Sequence, residues 1–151
     1  MTHRMVSALA ALVGLFVSLY LWLWHLGLMG SLACGTGGCE VVQTSRYATF
    51  AGVPVALLGV IGYAAMLGVS LAGLHGRWAA SRAPTRLLAA LAALGVLFSG
   101  YLTYLEAEVI HAWCRWCVSS ALIVTAIFVT AVIGMRGQAQ GAASREQGAG
   151  G

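Results

Sequence analysis

Four long apolar runs constrain this chain more than any other feature. They cover residues 5–29, 54–75, 86–105 and 110–135, and each is close to the roughly 20 residues that an α-helix needs to cross a bilayer. Because 60% of the 151 residues are hydrophobic and only 8% are charged, the apolar surface is too large for one small soluble core. The sequence therefore predicts an all-α integral membrane protein, with a bundle of four transmembrane helices forming one domain at 1–135.

The basic residues predict how the bundle is oriented. All eight are arginine, and only Arg46 and Arg115 lie on the side of the first and third connections. The other six flank the opposite ends of the runs: Arg4, Arg77, Arg82, Arg86, Arg136 and Arg145. Since cytoplasmic loops are enriched in Arg and Lys, both termini are expected in the cytoplasm. The net charge of +4 is thus interpreted as a membrane-orientation signal, and no nucleic-acid partner is expected.

Two segments lie outside the apolar runs. The first connection, 30–53, is rich in Gly, Ser and Thr, and a short helix on the membrane surface is predicted within it over 40–48. The stretch 136–151 is polar and of low complexity, which is typical of disorder. It is interpreted as a disordered cytoplasmic tail.

The four cysteines form two close pairs on the same side of the predicted membrane. Cys34 and Cys39 enclose a glycine-rich segment in the first connection, so a disulfide between them is sterically reasonable. Cys114 and Cys117 form a Cys-x-x-Cys at the start of the last run, where a helix N-terminus stabilises a thiolate. Either cysteine of the first pair could meet Cys114, which favours thiol–disulfide exchange.

An inner pair at the membrane boundary could pass two electrons to a lipid-soluble acceptor such as a quinone. A planar ring could stack in a pocket of four aromatic residues near the inner pair: Tyr101, Tyr104, Trp113 and Trp116. The same residues are also typical of interfacial anchors. The centres of the runs contain no Asp or Glu, which disfavours an ion pump or transporter.

Two other interpretations of the cysteines stay open. Four cysteines in two pairs can bind a metal, although the spacing of the first pair is unusual for zinc and no metal is expected. Two structural disulfides could instead staple a membrane scaffold, but a Cys-x-x-Cys on a helix is more typical of redox chemistry. Ser45, taken alone, is interpreted as a turn hydrogen-bonder.

The order of these residues resembles the vitamin K epoxide reductase (VKOR) family in its bacterial form. The resemblance covers roughly residues 5–135 and rests on the two cysteine pairs, the four apolar runs and a set of residues after the first pair: Val42, Ser45, Tyr47, Gly52, Pro54 and Gly59. It implies a four-helix bundle in a bacterial inner membrane, built around a quinone (menaquinone or ubiquinone). Many bacterial members carry a fused thioredoxin domain. This chain is interpreted as the stand-alone form with a separate thioredoxin-fold partner of the DsbA type.

The resemblance also implies residue roles. Cys34 is expected to face the partner, Cys39 to pass electrons to Cys114, and Cys117 to face the quinone. Residues expected at the quinone site are Ser45, Phe50, Tyr101, Tyr104, Trp113 and Trp116. Animal members have a tyrosine four residues after the second inner cysteine, where this chain has Ala121, so reduction of vitamin K epoxide is not favoured as the natural reaction. The expected activity is quinone-dependent disulfide formation in the partner, with the reverse flow of electrons as an alternative.

Overall fold

Four long helices form the body of the protein. The computed structural model describes residues 2–35 and 38–151, and its long helices are α1 (Thr2–His25), α3 (Val55–Ala72), α5 (Ala83–Tyr104) and α6 (Arg115–Ala149). A π-helical turn, Leu105–Ile110, extends α5. Each long helix has the length and apolar composition to cross a membrane, which confirms the predicted multi-pass bundle.

The four helices close into a ring in which each packs on two neighbours. The principal contacts join α1 to α3, α3 to α5, α5 to α6, and α6 back to α1. The core between them includes Ala11, Tyr63, Leu88 and Ile127. Small residues let the side chains of one helix pack directly on the backbone of the next, since a Cβ added at Gly95 would lie 2.6 Å from Val124 Cγ2. Small residues at such contacts are typical of packing between membrane helices.

A buried arginine ties together the end of the bundle that is remote from the cysteines. The Arg4 guanidinium in the first turn of α1 donates to the carbonyl oxygen of Gly73, at the C-terminus of α3. It also donates to the carbonyls of Ala79 and Ser81 at 3.1 Å each. These carbonyls have no helical partners, and an arginine satisfies several at once. The short helix α4 (Gly76–Ala79) lies in this connection.

The connection between α1 and α3 contains more structure than the predicted surface helix. Helix α2 (Gly38–Thr44) is followed by a 3₁₀ turn, Arg46–Ala48. Strands β1 (Thr49–Phe50) and β2 (Val53–Pro54) then form an antiparallel hairpin. The predicted helix over 40–48 breaks at Ser45, because that residue has extended backbone angles.

The hairpin turn depends on two residues with positive φ. Ala51 has φ 51° and Gly52 has φ 83°, the pattern of a two-residue turn whose twist matches the flanking strands. Gly52 adopts this conformation without steric cost, and it turns the chain back into α3.

The C-terminal segment differs from the expected disorder. The last helix continues to Ala149, well beyond the predicted boundary at 135. Residues 136–149 include Ala, Gln, Arg and Glu, which are good helix formers, and they extend a helix that is already nucleated, so no new nucleation cost arises. The extension contacts the bundle, because the Arg82 guanidinium donates to the carbonyl of Gln138 at 3.2 Å.

Candidate active site

The structure brings both cysteine pairs to one end of the bundle. Cys34 and Cys39 form a disulfide with a Cα–Cα distance of 6.0 Å, and Cys114 and Cys117 are free thiols. Cys34, Cys39 and Cys114 belong to one buried apolar cluster, against which Cys117 packs. Cys39 and Cys114 are both 0% exposed. The first pair is therefore not a distant loop feature but part of the same core as the inner pair.

Gly38 allows the two pairs to lie this close. A Cβ built on Gly38 would lie 2.6 Å from the carbonyl oxygen of Trp113. A backbone carbonyl cannot rotate away as a flexible side chain can, so any larger residue would push α2 outward. Gly38 immediately precedes Cys39, and Trp113 immediately precedes Cys114. The missing side chain thus sets the approach of the two cysteine-bearing segments.

Cys114 is the N-cap residue of α6. Its sulfur accepts a hydrogen bond from the backbone N–H of Cys117 at 3.3 Å, as expected for a side chain at an N-cap. The backbone N–H of Cys114 donates to Glu106 Oε2 at 3.1 Å. The predicted position of the Cys-x-x-Cys at a helix start is confirmed, and the motif is held by a carboxyl group from the preceding π-helical turn.

Gln43 on α2 contacts both inner sulfurs. Its Nε2 lies 3.5 Å from the sulfur of Cys117 and 4.0 Å from that of Cys114. Gln43 is four residues after Cys39 and therefore on the same face of α2. One short helix thus presents a disulfide sulfur and an amide donor to the inner pair.

The thiol of Cys114 has a lowered pKa. The main cause is the hydrogen bond that the Cys117 thiol gives to the Cys114 sulfur. Burial and the charge of Glu106 oppose this effect, whereas the Cys117 backbone N–H and the Gln43 amide reinforce it. Donors favour the thiolate because they stabilise its charge. Cys114 is therefore the sulfur of the inner pair that ionises first.

A cavity of about 140 Å³ opens inside the bundle beside the inner pair. Cys117, Gln43 and Glu106 line its cysteine end, and the rest of its wall is largely apolar, including Met66, Phe98, Leu102 and Val124. Tyr63 also lines it and donates to the carbonyl oxygen of Ser120 at 2.8 Å. The cavity lies between the membrane-spanning helices, and Cys117 is the cysteine that it reaches.

The aromatic residues predicted to contact a quinone lie elsewhere. Four of them are exposed on the outer surface: Phe50, Tyr101, Tyr104 and Trp113. Tyr101 and Tyr104 are three residues apart on one outward face of α5, whereas Leu102 and Thr103 turn to the cavity. Trp116 packs in the cysteine cluster with its ring centroid 5.1 Å from that of Tyr20. None of these residues lines the cavity beside Cys117, so the predicted stacking pocket differs from the observed one, and their contact with a quinone stays a prediction.

Ser45 lies at the edge of the site. Its hydroxyl donates to the carbonyl oxygen of Val42 at 2.7 Å, which matches the interpretation as a turn hydrogen-bonder. It also lines a smaller cavity, of about 30 Å³, together with Gln43, Glu106 and Cys117.

Two polar residues of the site were not predicted from the sequence. Gln43 could have been found from its spacing to Cys39. Glu106 could have been found as a carboxylate that ends an apolar run eight residues before Cys114. Among residues 2–35 and 38–151, no group of three or more His, Cys, Asp or Glu side chains is arranged to hold a metal ion.

A four-helix membrane bundle with a loop disulfide seated on an inner dithiol defines a class of membrane thiol oxidoreductases. Residues 5–132 match the model of the vitamin K epoxide reductase family, and the chain belongs to that family. Membership implies a quinone-linked thiol oxidoreductase.

Gly38→Ala is expected to loosen the docking of α2. The added methyl group would overlap the Trp113 carbonyl, and overpacking typically costs about 1–3 kcal/mol. Transient exposure of Cys114 should then rise roughly tenfold to hundredfold, measured as the rate at which a hydrophilic maleimide labels Cys114. Gly30→Ala is the control, because that glycine lies in the same connection with open space around it. Equal labelling rates in the two variants would contradict the proposed close approach.

The lowered pKa of Cys114 predicts the pH dependence of its thiolate. In the variant Cys34→Ser with Cys39→Ser, the first thiolate should form below the ordinary thiol pKa of about 8.5 and be lost as the pH falls through the lowered value. The thiolate absorbance in the ultraviolet measures this midpoint. Gln43→Leu removes one stabilising donor and should raise the midpoint. A midpoint at or above the ordinary value in the parent would contradict the prediction.

Proposed function

We propose that this protein is a quinone-dependent oxidoreductase that forms disulfides in a separate thioredoxin-fold partner of the DsbA type. The observation that supports it most is the continuity of the site. Cys34, Cys39 and Cys114 share one buried cluster, and Cys117, one helical turn further on, lines the cavity within the bundle. Sulfur atoms are therefore arranged in sequence from the first connection to the bundle interior.

The exchange steps follow the order of the sulfurs. A partner thiolate attacks Cys34, which forms a mixed disulfide and releases the Cys39 thiolate. Cys39 attacks Cys114 of an oxidised inner pair and releases Cys117. The second partner thiol then displaces Cys34, which attacks Cys39 and releases Cys114. The partner gains a disulfide, the outer disulfide is restored, and the inner pair holds two electrons as a dithiol.

The cavity beside Cys117 fits a quinone ring. A Cβ on Gly62, which lines the cavity, would meet no atom within 4 Å, so the wall there is open to a ligand. The apolar residues would hold the ring, and Gln43 could donate to one of its oxygens. A bound menaquinone or ubiquinone would accept two electrons and two protons. Ala121 is not among the residues that line this cavity, so its side chain supplies no contact to a ring bound there.

An open depression offers the partner access to the first pair. It is lined by Cys34, Gly35, Trp113, Arg115, Val118 and Ser119. The Trp113 side chain is 56% exposed, and exposed aromatic residues are frequent anchors at protein interfaces. We infer that the partner's reactive cysteine docks against this depression.

The proposed location is the inner membrane of a bacterial cell, with both termini in the cytoplasm. Six of the eight arginines support this orientation. It places both cysteine pairs on the extracytoplasmic side, where a disulfide-forming enzyme would meet its substrates.

The relay predicts a disulfide between Cys39 and Cys114 that can be trapped. In a protein with Cys34→Ser and Cys117→Ser, neither resolving thiol is present. A mild chemical oxidant that removes two electrons and two protons from the remaining thiols should therefore let the Cys39–Cys114 bond accumulate, to be identified by peptide mass mapping without reduction. Cys34→Ser with Cys114→Ser is the control, and no Cys39–Cys117 bond should accumulate there. Cys39→Ser or Cys117→Ser alone should reduce quinone-dependent oxidation of a DsbA-type partner to background. Full turnover in either variant would contradict the relay, and so would a folded double variant that forms no Cys39–Cys114 bond.

Gly62→Leu tests the cavity as the quinone site. The new side chain would enter the open space and should lower quinone-linked turnover at least about tenfold, as steric changes in a pocket commonly do. The Cys39–Cys114 bond should still be trapped in the Cys34→Ser, Cys117→Ser protein, because its formation by a chemical oxidant requires no quinone. Gly68→Leu, on the same helix but outside the cavity lining, should keep normal turnover. Equal turnover in the Gly62 and Gly68 variants would exclude this cavity as the quinone site.

A further inference from the structure

Glu106 is a buried carboxyl group that the exchange steps leave without a role. It is 2% exposed and lies in the π-helical turn that follows the last residue of α5. Its own carbonyl oxygen accepts hydrogen bonds from the N–H groups of His111 and Ala112. The backbone is thus fixed at the point where the side chain enters the site.

The Glu106 carboxyl group contacts both cysteines of the inner pair. Oε2 accepts from the Cys114 N–H at 3.1 Å, and the Cys117 thiol lies within hydrogen-bonding reach of the carboxyl group. Glu106 and Cys117 also line both cavities together. A proton on the Cys117 sulfur therefore has a carboxyl oxygen beside it and the quinone-sized cavity next to both.

Few other ionisable groups compete for that proton. The groups that face Glu106 are Cys114 and Cys117 from α6 and the neutral amide of Gln43 from α2. Tyr63 from α3 and Tyr47 from the 3₁₀ turn line the adjacent cavities. No Arg, Lys or His of the described residues lines either cavity, so no cation neutralises the carboxylate. A buried carboxylate without a cation is costly, and exchange of a proton with the neighbouring thiol relieves that cost.

Cys117 needs a base to take its proton, whereas Cys114 does not. Cys114 already has donors that stabilise its thiolate, the Cys117 N–H among them. Cys117 is itself the donor to that thiolate, so it holds the proton that must leave before its sulfur reacts. Within the described part of the chain, Glu106 is the carboxyl group positioned to take it.

We propose that Glu106 is a catalytic proton carrier, which accepts the proton of the Cys117 thiol and releases it into the cavity. This inference rests on the proposed function. When the inner dithiol is oxidised, a bond forms between the two sulfurs, two electrons go to the quinone, and two protons leave the thiols. Glu106 takes the Cys117 proton and holds it until a quinone in the cavity accepts it, and the Cys114 proton leaves to water.

The alternative is that Glu106 only satisfies the Cys114 N–H. Glu106→Gln separates the two roles, because the amide oxygen can still accept from that N–H but cannot take a proton. Glu108→Gln is the matched control, since Glu108 lies on the same turn but is exposed. Glu106→Asp keeps a carboxyl group on a shorter side chain and should retain part of the effect.

The first test measures the thiol itself, without quinone or partner. In a protein whose only cysteine is Cys117, produced by Cys34→Ser, Cys39→Ser and Cys114→Ala, labelling by N-ethylmaleimide is followed against pH. Glu106→Gln should remove the carboxyl-dependent inflection of the pH profile, so that the labelling rate rises about tenfold per pH unit, as for a thiol that ionises without a neighbouring carboxyl group. Glu108→Gln should leave the inflection in place. Identical rates and pH profiles with and without Glu106→Gln would overturn the proposal.

The second test does not depend on a substituted protein folding. Infrared difference spectra between the dithiol and disulfide states of the inner pair, with the disulfide produced by a chemical oxidant in the absence of quinone, should contain a carboxylic-acid carbonyl band, because Glu106 is a carboxylate in the first state and holds the Cys117 proton in the second. The band should disappear in Glu106→Gln and persist in Glu108→Gln. A difference spectrum of the unsubstituted protein without any carboxylic-acid band would overturn the proposal.

Failure of this inference is distinguishable from failure of the relay. Formation of the trapped Cys39–Cys114 bond needs no carrier for the Cys117 proton, so Glu106→Gln should leave it intact in the Cys34→Ser, Cys117→Ser protein. A trapped bond together with unchanged Cys117 chemistry in Glu106→Gln would overturn the role of Glu106 alone. Absence of the trapped bond in the parent would overturn the relay.

Discussion

The site depends on one backbone contact, the approach of Gly38 to the carbonyl oxygen of Trp113. Helix α2 has only seven residues and would not be stable alone in water. Its order comes from docking, with Val42 buried against the bundle and Cys39 fully enclosed. Because the contact is between backbone atoms, it sets position with little freedom. The disulfide, Gln43 and the start of α6 are all located relative to it.

The bundle provides the apolar surroundings of the site, which a helix as short as α2 cannot provide. Its apolar helices exclude water from the space beside Cys117, and in such surroundings a hydrogen bond or a charge has a larger energetic effect than in water. A few polar groups therefore control the chemistry: the Gln43 amide, the Glu106 carboxyl group and the Cys114 N–H. The same helices leave an opening at Gly62, where a larger residue would fill the wall. Packing and cavity thus come from the same use of small residues.

Much of this architecture could be predicted from the sequence, but the interior of the site could not. Apolar length determines the four spans, and the Cys-x-x-Cys spacing indicates the inner pair, because both signals are local. Two helix ends differ from the expectation for physical reasons: helix propagation carries α6 onward past residue 135, and the extended angles of Ser45 stop α2 before residue 48. Tyr101 and Tyr104 looked suitable for stacking, yet the inward face of their helix is set by tertiary packing. In the sequence, Glu106 has the position of a charge at the membrane interface. The π-helical turn, which the sequence does not indicate, brings its carboxyl group to Cys114.

The two inner cysteines differ because they occupy different parts of one helix start. Cys114, as the N-cap, lies outside the helix proper and is surrounded by donors. Cys117, one turn later, lies at the cavity wall. In thiol–disulfide exchange the sulfur of lower pKa is the better leaving group. In the proposed relay, attack of Cys34 on a Cys39–Cys114 bond releases Cys114, so the donors around that sulfur favour completion of the transfer. The arrangement that stabilises the Cys114 thiolate also leaves the proton on Cys117, next to Glu106. The direction of exchange and the need for a proton carrier therefore have one structural origin.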